Sequence, residues 1–253
     1  MYFFIERFIK DYRHFEVCLP THKVVHFGVS HALSATRRQG LRPIIAEIKP
    51  YSPRHGDLLG TRDPRDILAA YERGGAAALS YITAPLFHGD LATLAALCEA
   101  TTLPVLRKDF LGTERDMEET AAAGAAAVLV IARNTGDRTG AVIDMARDCG
   151  LEPVTEVHTH EDIASAQEAG ARTVAINNRD ITRFECDDGD LSVTERLRGA
   201  VKAATCISAS GIATPEEARR ATELCDGALV GTALMNAPDP GRLLAHMTGV
   251  LPC

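Results

Sequence analysis

The chain alternates between strand-like and helical segments from Pro43 onward, and this alternation limits the folds open to it. The strand-like runs are short and almost wholly apolar, which is typical of parallel strands buried on both faces. Eight such runs span residues 44–49, 77–82, 104–108, 127–131, 153–157, 173–177, 205–208 and 227–230. Helical segments between them include residues 63–73, 91–99, 114–123, 140–148, 161–169 and 215–223.

The ends of these segments support the same interpretation. Asp63 before Pro64 and Thr214 before Pro215 are typical helix starts, because the first residue can cap free backbone N–H groups. Glycine follows several helices, where it suits the left-handed conformation that often ends a helix. These glycines are Gly75, Gly124, Gly170 and Gly227. Eight strand–helix units predict an α/β fold, a closed (β/α)₈ TIM barrel. The alternative is a doubly wound open sheet, which needs a GxGxxG turn that the sequence lacks.

The 253 residues are expected to form a single barrel domain, with residues 42–250 as the barrel and residues 1–41 as an N-terminal extension. Phe4, Phe8 and Tyr12 recur at helical spacing with charged residues between them. The extension is therefore predicted to contain an amphipathic helix that packs on the barrel. Glu6 and Arg7 interrupt its apolar start, so we expect neither a signal peptide nor a membrane span.

Composition narrows the classes of partner and site. The net charge is −7, so the sequence does not favour nucleic acid as a partner. The seven cysteines are scattered without a CxxC pair, which predicts reduced thiols in the cytoplasm rather than disulfides or a zinc site. No window is apolar enough to suggest a membrane protein, and no pattern specifies an oligomeric state.

Charged and polar side chains cluster at the ends of the predicted strands. In a barrel the carboxyl ends of all strands meet at one mouth, where function lies. Glu47 and Lys49 are two residues apart, so they lie on the same side of the first strand. The other strand ends add Lys108 with Asp109, Glu156 with His158, and Asn177 with Arg179. Such a set could donate protons, accept protons and hold anions.

Two glycine-bearing turns follow the last two predicted strands. One contains Ser210-Gly211 and the other contains Gly231-Thr232. Loops at these positions commonly bind phosphate in a TIM barrel, because glycines let backbone N–H groups approach an anion. Ser52 follows the first strand, which is next to the eighth in a closed barrel. The sequence therefore predicts a phosphorylated small-molecule substrate.

Five motifs follow one another along the chain: IAEIK with Ser52-Pro53, PVLRKDF from Pro104, TEVH from Thr155, INNRD from Ile176 and SGI from Ser210. In their order and spacing, over about residues 42–245, they resemble the indole-3-glycerol phosphate synthase family. The resemblance implies a TIM barrel with an extra N-terminal segment. It also implies closure of the indole ring of 1-(2-carboxyphenylamino)-1-deoxyribulose 5-phosphate in tryptophan biosynthesis, with loss of CO₂ and water. No cofactor and no metal are implied.

The resemblance also implies a role for each matching residue. Lys108 corresponds to the general acid that protonates the substrate ketone. Lys49 would face the substrate carboxylate, and Glu156 and Glu47 would move protons. Asn177 would orient the reacting groups, and Phe110 would form a wall for the aryl ring. The remaining substrate-binding positions, which include the phosphate site, are Ser52, Arg179, Ser210, Gly211, Gly231 and Thr232.

One departure from the family pattern bears on function. Ala209 occupies the position between two serines where the family usually has an active-site glutamate. Two other functions therefore stay open beside the synthase itself. One is a paralogue in specialised metabolism that cyclises a related arylamino-deoxyribulose phosphate. The other is a barrel that binds a phosphorylated ligand or a partner protein without turnover.

Overall fold

Eight parallel strands close into a barrel in the computed structural model, which describes residues 28–179 and 190–251. The first strand pairs with both the second and the eighth, so the ring is complete. The barrel strands are β1 Ile44–Ile48, β2 Ala78–Ile82, β3 Val105–Lys108, β4 Ala127–Ile131, β5 Glu152–Val157, β6 Thr173–Asn177, β7 Thr205–Ala209 and β8 Gly227–Val230. The predicted TIM barrel is confirmed, the open-sheet alternative is wrong, and predicted strand ends differ by at most one residue.

Helices surround the barrel, and the two predicted helix starts are confirmed. Asp63 accepts a hydrogen bond from the Arg65 backbone N–H at 2.8 Å, and Thr214 accepts one from Glu217 at 3.2 Å. The outer helices are Pro64–Arg73, Leu91–Ala100, Glu114–Ala122, Ala132–Thr135, Thr139–Asp148, His160–Glu168, Ser192–Leu197, Pro215–Leu224, Thr232–Asn236 and Pro240–Thr248. Among the described residues, no helix is long and apolar enough to cross a membrane.

Alternation along each strand divides the core into an inner part and an outer part. Side chains such as Ile45, Leu106 and Ile207 fill the inside of the barrel. Their neighbours, such as Ile44 and Val105, face outward and pack under the helices. Because both faces are buried, the strands can be apolar throughout, which explains the continuous runs seen in the sequence.

Helix Val29–Arg38 closes the amino-terminal end of the barrel. Val29 and Leu33 are fully buried and join the inner core. Gly227 lies opposite this helix, and a Cβ there would come within 2.8 Å of Leu33 Cδ2. The predicted left-handed conformation holds for Gly75, Gly124 and Gly170 but is wrong for Gly227. That position needs glycine because the helix packs directly against it.

The start of this helix is held by a carboxylate from the barrel. Both oxygens of Glu152 lie 3.2 Å from the Ser30 backbone N–H, and one also accepts from Thr173 Oγ1 at 2.8 Å. A negative charge at a helix N-terminus is favourable, so Glu152 fixes the helix to β5. The predicted helix at Phe4, Phe8 and Tyr12 lies outside the described residues, and the single-domain boundaries stay a prediction.

Candidate active site

Three charged side chains meet inside the carboxyl-terminal mouth of the barrel. Glu47 lies between two lysines: its Oε2 is 3.1 Å from Lys108 Nζ, and its Oε1 is 3.8 Å from Lys49 Nζ. Glu47 and Lys49 are only 2% and 3% exposed. The sequence predicts that these three residues meet at one mouth because each lies at the end of a strand, and the structure brings them together. One carboxylate thus lies between two amine side chains at the mouth, and Lys108, the most exposed of the three, has 17% of its side chain accessible.

Neighbouring residues fix the position of Glu47. The Tyr71 hydroxyl donates to the Glu47 carbonyl at 3.2 Å. Burial, with the Glu47 charge as the second cause, raises the pKa of Tyr71 well above its usual range, so it stays a donor. Gly231 leaves room for the carboxylate, because a Cβ there would come within 2.4 Å of Glu47 Oε1.

Lys49 lies on the side of Glu47 nearest the last barrel loop. Its Nζ is 3.3 Å from Thr232 Oγ1 and 5.8 Å from the centre of the Phe87 ring. An ammonium group at that distance from an aromatic face is attracted to it. Lys49 thus contacts the predicted phosphate loop, while Lys108 reaches Glu47 from β3. The two lysines approach the mouth from different directions.

A short hairpin after β1 contacts the loop after β2. It pairs Tyr51–Ser52 with Gly56–Asp57, and the Tyr51 ring stacks on His88 with centroids 4.2 Å apart. Ser52 is buried, and its hydroxyl accepts from the backbone N–H groups of Arg54 and His55 at 3.3 and 3.4 Å. Ser52 therefore shapes the turn, and Arg54 and His55, which the sequence did not single out, line the cleft.

The strands on the other side of the barrel contribute a carboxylate and an amide. Glu156 is 2% exposed, and its Oε1 lies 3.5 Å from His158 Nε2. Asn177 is 5% exposed, and its Oδ1 accepts from the Arg179 backbone N–H at 3.0 Å. Both residues lie at strand ends on the same face as Glu47, as expected. His158, which the sequence also places at this strand end two residues after Glu156, contacts it in the folded barrel.

A cleft of about 430 Å³ extends from Glu47 and Lys49 to both predicted phosphate loops. Ser210 and Gly211 have φ angles of 67° and 68°, so consecutive residues are left-handed. Asn178 holds the loop, donating to Ser208 Oγ, Ala209 O and Ser210 O at 3.0–3.1 Å. The remaining substrate-binding predictions that line this cleft are Arg179, Gly231 and Thr232.

Phe110 and Ala209 complete the mouth. Phe110 follows Lys108 by two residues and is 39% exposed, which makes it one of the few large exposed apolar side chains among the described residues. Ala209 is buried in the inner core, in register with Asn177 on one side and Leu229 on the other. Its small side chain therefore stands between two strands that line the mouth. In the part of the chain that the structure describes, no group of three His, Cys, Asp or Glu side chains has metal-site geometry.

Comparison with known proteins places this geometry in one family. The family model of indole-3-glycerol phosphate synthase matches residues 15–247. The indole-3-glycerol phosphate synthase of Pyrococcus furiosus is 47% identical over 223 residues, covering 87% of this chain and 96% of the relative. That of Thermococcus kodakarensis is 46% identical over 226 residues, covering 88% and 98%.

Solved structures agree on the fold. The tryptophan synthase alpha subunit of Legionella pneumophila superposes with a TM-score of 0.62 at 16% identity, covering 87% of this chain and 96% of that one. Thiamine phosphate pyrophosphorylase of Pyrococcus furiosus gives a TM-score of 0.60 at 16% identity, covering 83% and 95%. These likenesses show the barrel alone, whereas the family match covers most of the chain and confirms the resemblance of the motifs. The chain belongs to the indole-3-glycerol phosphate synthase family.

Proposed function

We propose that this protein is an indole-3-glycerol phosphate synthase of tryptophan biosynthesis. It would close the indole ring of 1-(2-carboxyphenylamino)-1-deoxyribulose 5-phosphate and release CO₂ and water, as a carbon–carbon lyase. The observation that carries the proposal is the buried Lys49–Glu47–Lys108 cluster, next to a cleft that ends at two glycine loops. This arrangement offers proton donors at one end and an anion site at the other.

Ring closure needs a proton at the substrate ketone while the aromatic carbon attacks it. Lys108 is proposed as that acid, because Glu47 holds its ammonium group at 3.1 Å and keeps a negative charge beside it. The new carbon–carbon bond forms at the ring carbon that carries the carboxylate, and this carbon then loses CO₂. Lys49 would face that carboxylate.

Loss of water completes the indole and needs further proton transfer. Glu156, buried on β5, is proposed to accept the proton that leaves the ring carbon next to nitrogen, and Glu47 to pass a proton from the Lys49 ammonium group, 3.8 Å away, to the leaving hydroxyl. Asn177 would orient the reacting groups. Phe110, exposed at the mouth, would lie against the aryl ring. No cofactor is required for these steps.

The phosphate is proposed to bind between Ser210-Gly211 and Gly231-Thr232. Crystals grown in sulfate are expected to show the anion there, and inorganic phosphate is expected to inhibit competitively.

Gly211→Ala should raise the phosphate inhibition constant about fivefold or more, because a left-handed residue with a Cβ costs roughly 1–2 kcal/mol. Gly170→Ala is the matched control: its φ is 73° and a Cβ there meets nothing within 4 Å. An anion bound elsewhere, or equal effects of both variants on inhibition, would contradict the phosphate site.

The activity itself is tested by following indole fluorescence after adding the synthase substrate to the purified protein. Steady formation of the indole product with stoichiometric CO₂ is the expected result. Binding of substrate without turnover would favour the non-catalytic barrel. We also propose a cytoplasmic location with the phosphorylated substrate as the partner, which the scattered cysteines support and cell fractionation would test.

Ala209 leads to a separate prediction. A glutamate at this position would add a carboxylate to the mouth, where it could support the protonated lysines or relay a proton. Ala209→Glu is therefore expected to raise kcat about tenfold or more. A positioned acid or base contributes ~10²-fold or more to the rate, and the new carboxylate is expected to supply part of this. Ala209→Gln, of the same size without the charge, should not. If the folded Ala209→Glu variant is slower, the pocket is fitted around alanine, and cyclisation of a related substrate becomes the better proposal.

A further inference from the structure

Arg107 adjoins Lys108 on β3, but its side chain lies on the opposite side of the barrel wall, under helix Glu114–Ala122. It is fully buried, with 0% of its surface exposed. Its guanidinium donates to Thr83 Oγ1 at 3.0 Å, Thr120 Oγ1 at 2.9 Å, the Asp116 carbonyl at 3.2 Å and Asp109 Oδ2 at 3.4 Å. A buried ion pair of this kind often stabilises a fold no better than apolar side chains of the same size. Stability alone therefore gives little reason for Arg107 at this position.

Two side chains that contact Arg107, those of Thr83 and Asp109, belong to residues that also hold the backbone on either side of the Lys108 carbonyl. The Thr83 N–H donates to the Lys108 carbonyl at 3.1 Å, and the Thr83 hydroxyl donates to Asp109 Oδ2 at 2.6 Å. The other oxygen of Asp109 accepts from the Phe110 N–H at 2.8 Å. Thus one network holds the carbonyl of Lys108, the residue after it and the first turn of the following loop.

Helix Glu114–Ala122 fixes the far end of the same loop. Asp116 accepts from the backbone N–H groups of Gly112 and Thr113 at 3.0 and 2.8 Å. Arg107 donates to the carbonyl of Asp116, so it joins the helix to the strand end. The segment that presents Lys108 and Phe110 to the mouth is held at both ends from outside the barrel.

We propose that Arg107 is a positioning residue for Lys108, acting through Asp109 and Thr83 to fix the direction from which the ammonium group enters the mouth. The inference rests on the proposed role of Lys108 as general acid. Arginine suits this task because its planar fork reaches several acceptors in fixed directions, which lysine cannot do. A reacting group displaced by about 1 Å can lose ~10²-fold in rate.

Arg107→Lys tests the proposal, because it keeps the charge and loses the fork. We expect kcat to fall about 10- to 100-fold. KM should change less than twofold, because the predicted phosphate loops after β7 and β8 are not altered. The matched control is Arg37→Met at the other end of the barrel, where Arg37 donates to the carbonyls of Thr222 and Cys225 at 2.8 Å. The control should lose stability and keep kcat. If both variants leave kcat unchanged, or both lower it equally, Arg107 is only structural.

A second readout does not depend on turnover. The chain has only five lysines, so ¹³C-dimethylation gives a simple spectrum in which Lys108→Arg assigns the Lys108 signal. This signal should move in Arg107→Lys and stay in place in Arg37→Met; the sixth lysine of Arg107→Lys adds one signal, which Arg107→Lys combined with Lys108→Arg identifies. A wild type without synthase activity would refute the proposed function, and the spectrum alone would then decide on Arg107. An unchanged signal would overturn the inference.

A double variant covers the case in which Arg107→Lys does not fold. Arg107→Met with Asp109→Leu removes both charges, which is often nearly neutral for stability. We expect this variant to unfold near the wild-type midpoint and still show the low kcat. Recovery of kcat together with stability would contradict the positioning role.

Discussion

Lys108→Ala is expected to lower kcat for the synthase substrate by about 10²–10⁴-fold, the usual contribution of a positioned general acid. The side chain ends 3.1 Å from Glu47 Oε2, inside the mouth of the barrel. Substrate should still bind, because the two loops proposed to hold its phosphate follow β7 and β8 and are not altered. Steady-state indole fluorescence gives kcat, and isothermal titration with the inactive variant gives the dissociation constant.

Two other lysines make this result interpretable. Lys202 is exposed on the surface, so Lys202→Ala should leave kcat unchanged. Lys49→Ala removes the ammonium group beside Thr232 and Phe87 and should raise KM as well as lower kcat. A loss well below tenfold in Lys108→Ala would move the acid role to Lys49.

Glu47→Gln is expected to destabilise the protein by about 3 kcal/mol and to lower kcat as well. Removing one member of a buried charge pair typically costs about 3–5 kcal/mol, because the remaining charge stays in a poorly solvated place. Here two ammonium groups would lack the negative charge between them. The lower end of the range applies since the Lys108 side chain is 17% exposed.

Urea unfolding measures this change, and a surface pair provides the control. Glu195 lies 3.2 Å from Arg220, with about half of each side chain exposed. Glu195→Gln should therefore change the free energy of unfolding by less than ~1 kcal/mol. Equal effects of the two variants would mean that the Glu47 cluster is solvated like an ordinary surface pair.

Much of the fold and part of the site follow from local patterns. Eight apolar runs between helical segments specify a barrel, and a barrel brings its strand ends together whatever the loops do. For that reason Glu47, Lys49 and Lys108 could be placed at one mouth from sequence alone. The same logic located the turns at Ser210 and Thr232.

Other features depend on contacts between residues far apart in sequence, and local patterns do not contain them. The sequence around Gly227 predicts a helix-ending glycine, but its environment is set by Leu33, which is far away in sequence and packs against it. Arg107 was predicted only as part of a motif. Its proposed positioning role depends on Thr83 and Thr120, which contact it only after β2, β3 and the following helix have packed.

The closure of the barrel also determines when folding can be completed. β1 needs β8 as a neighbour, and Arg42 just before β1 donates to the Met247 carbonyl across a sequence separation of 205 residues. During synthesis the early strands must therefore wait for nearly the whole chain to leave the ribosome. Until then one edge of β1 has unsatisfied backbone groups, which can pair with other nascent chains. A ring whose first and last strands are neighbours therefore keeps this edge open until the last strand is available to pair with it.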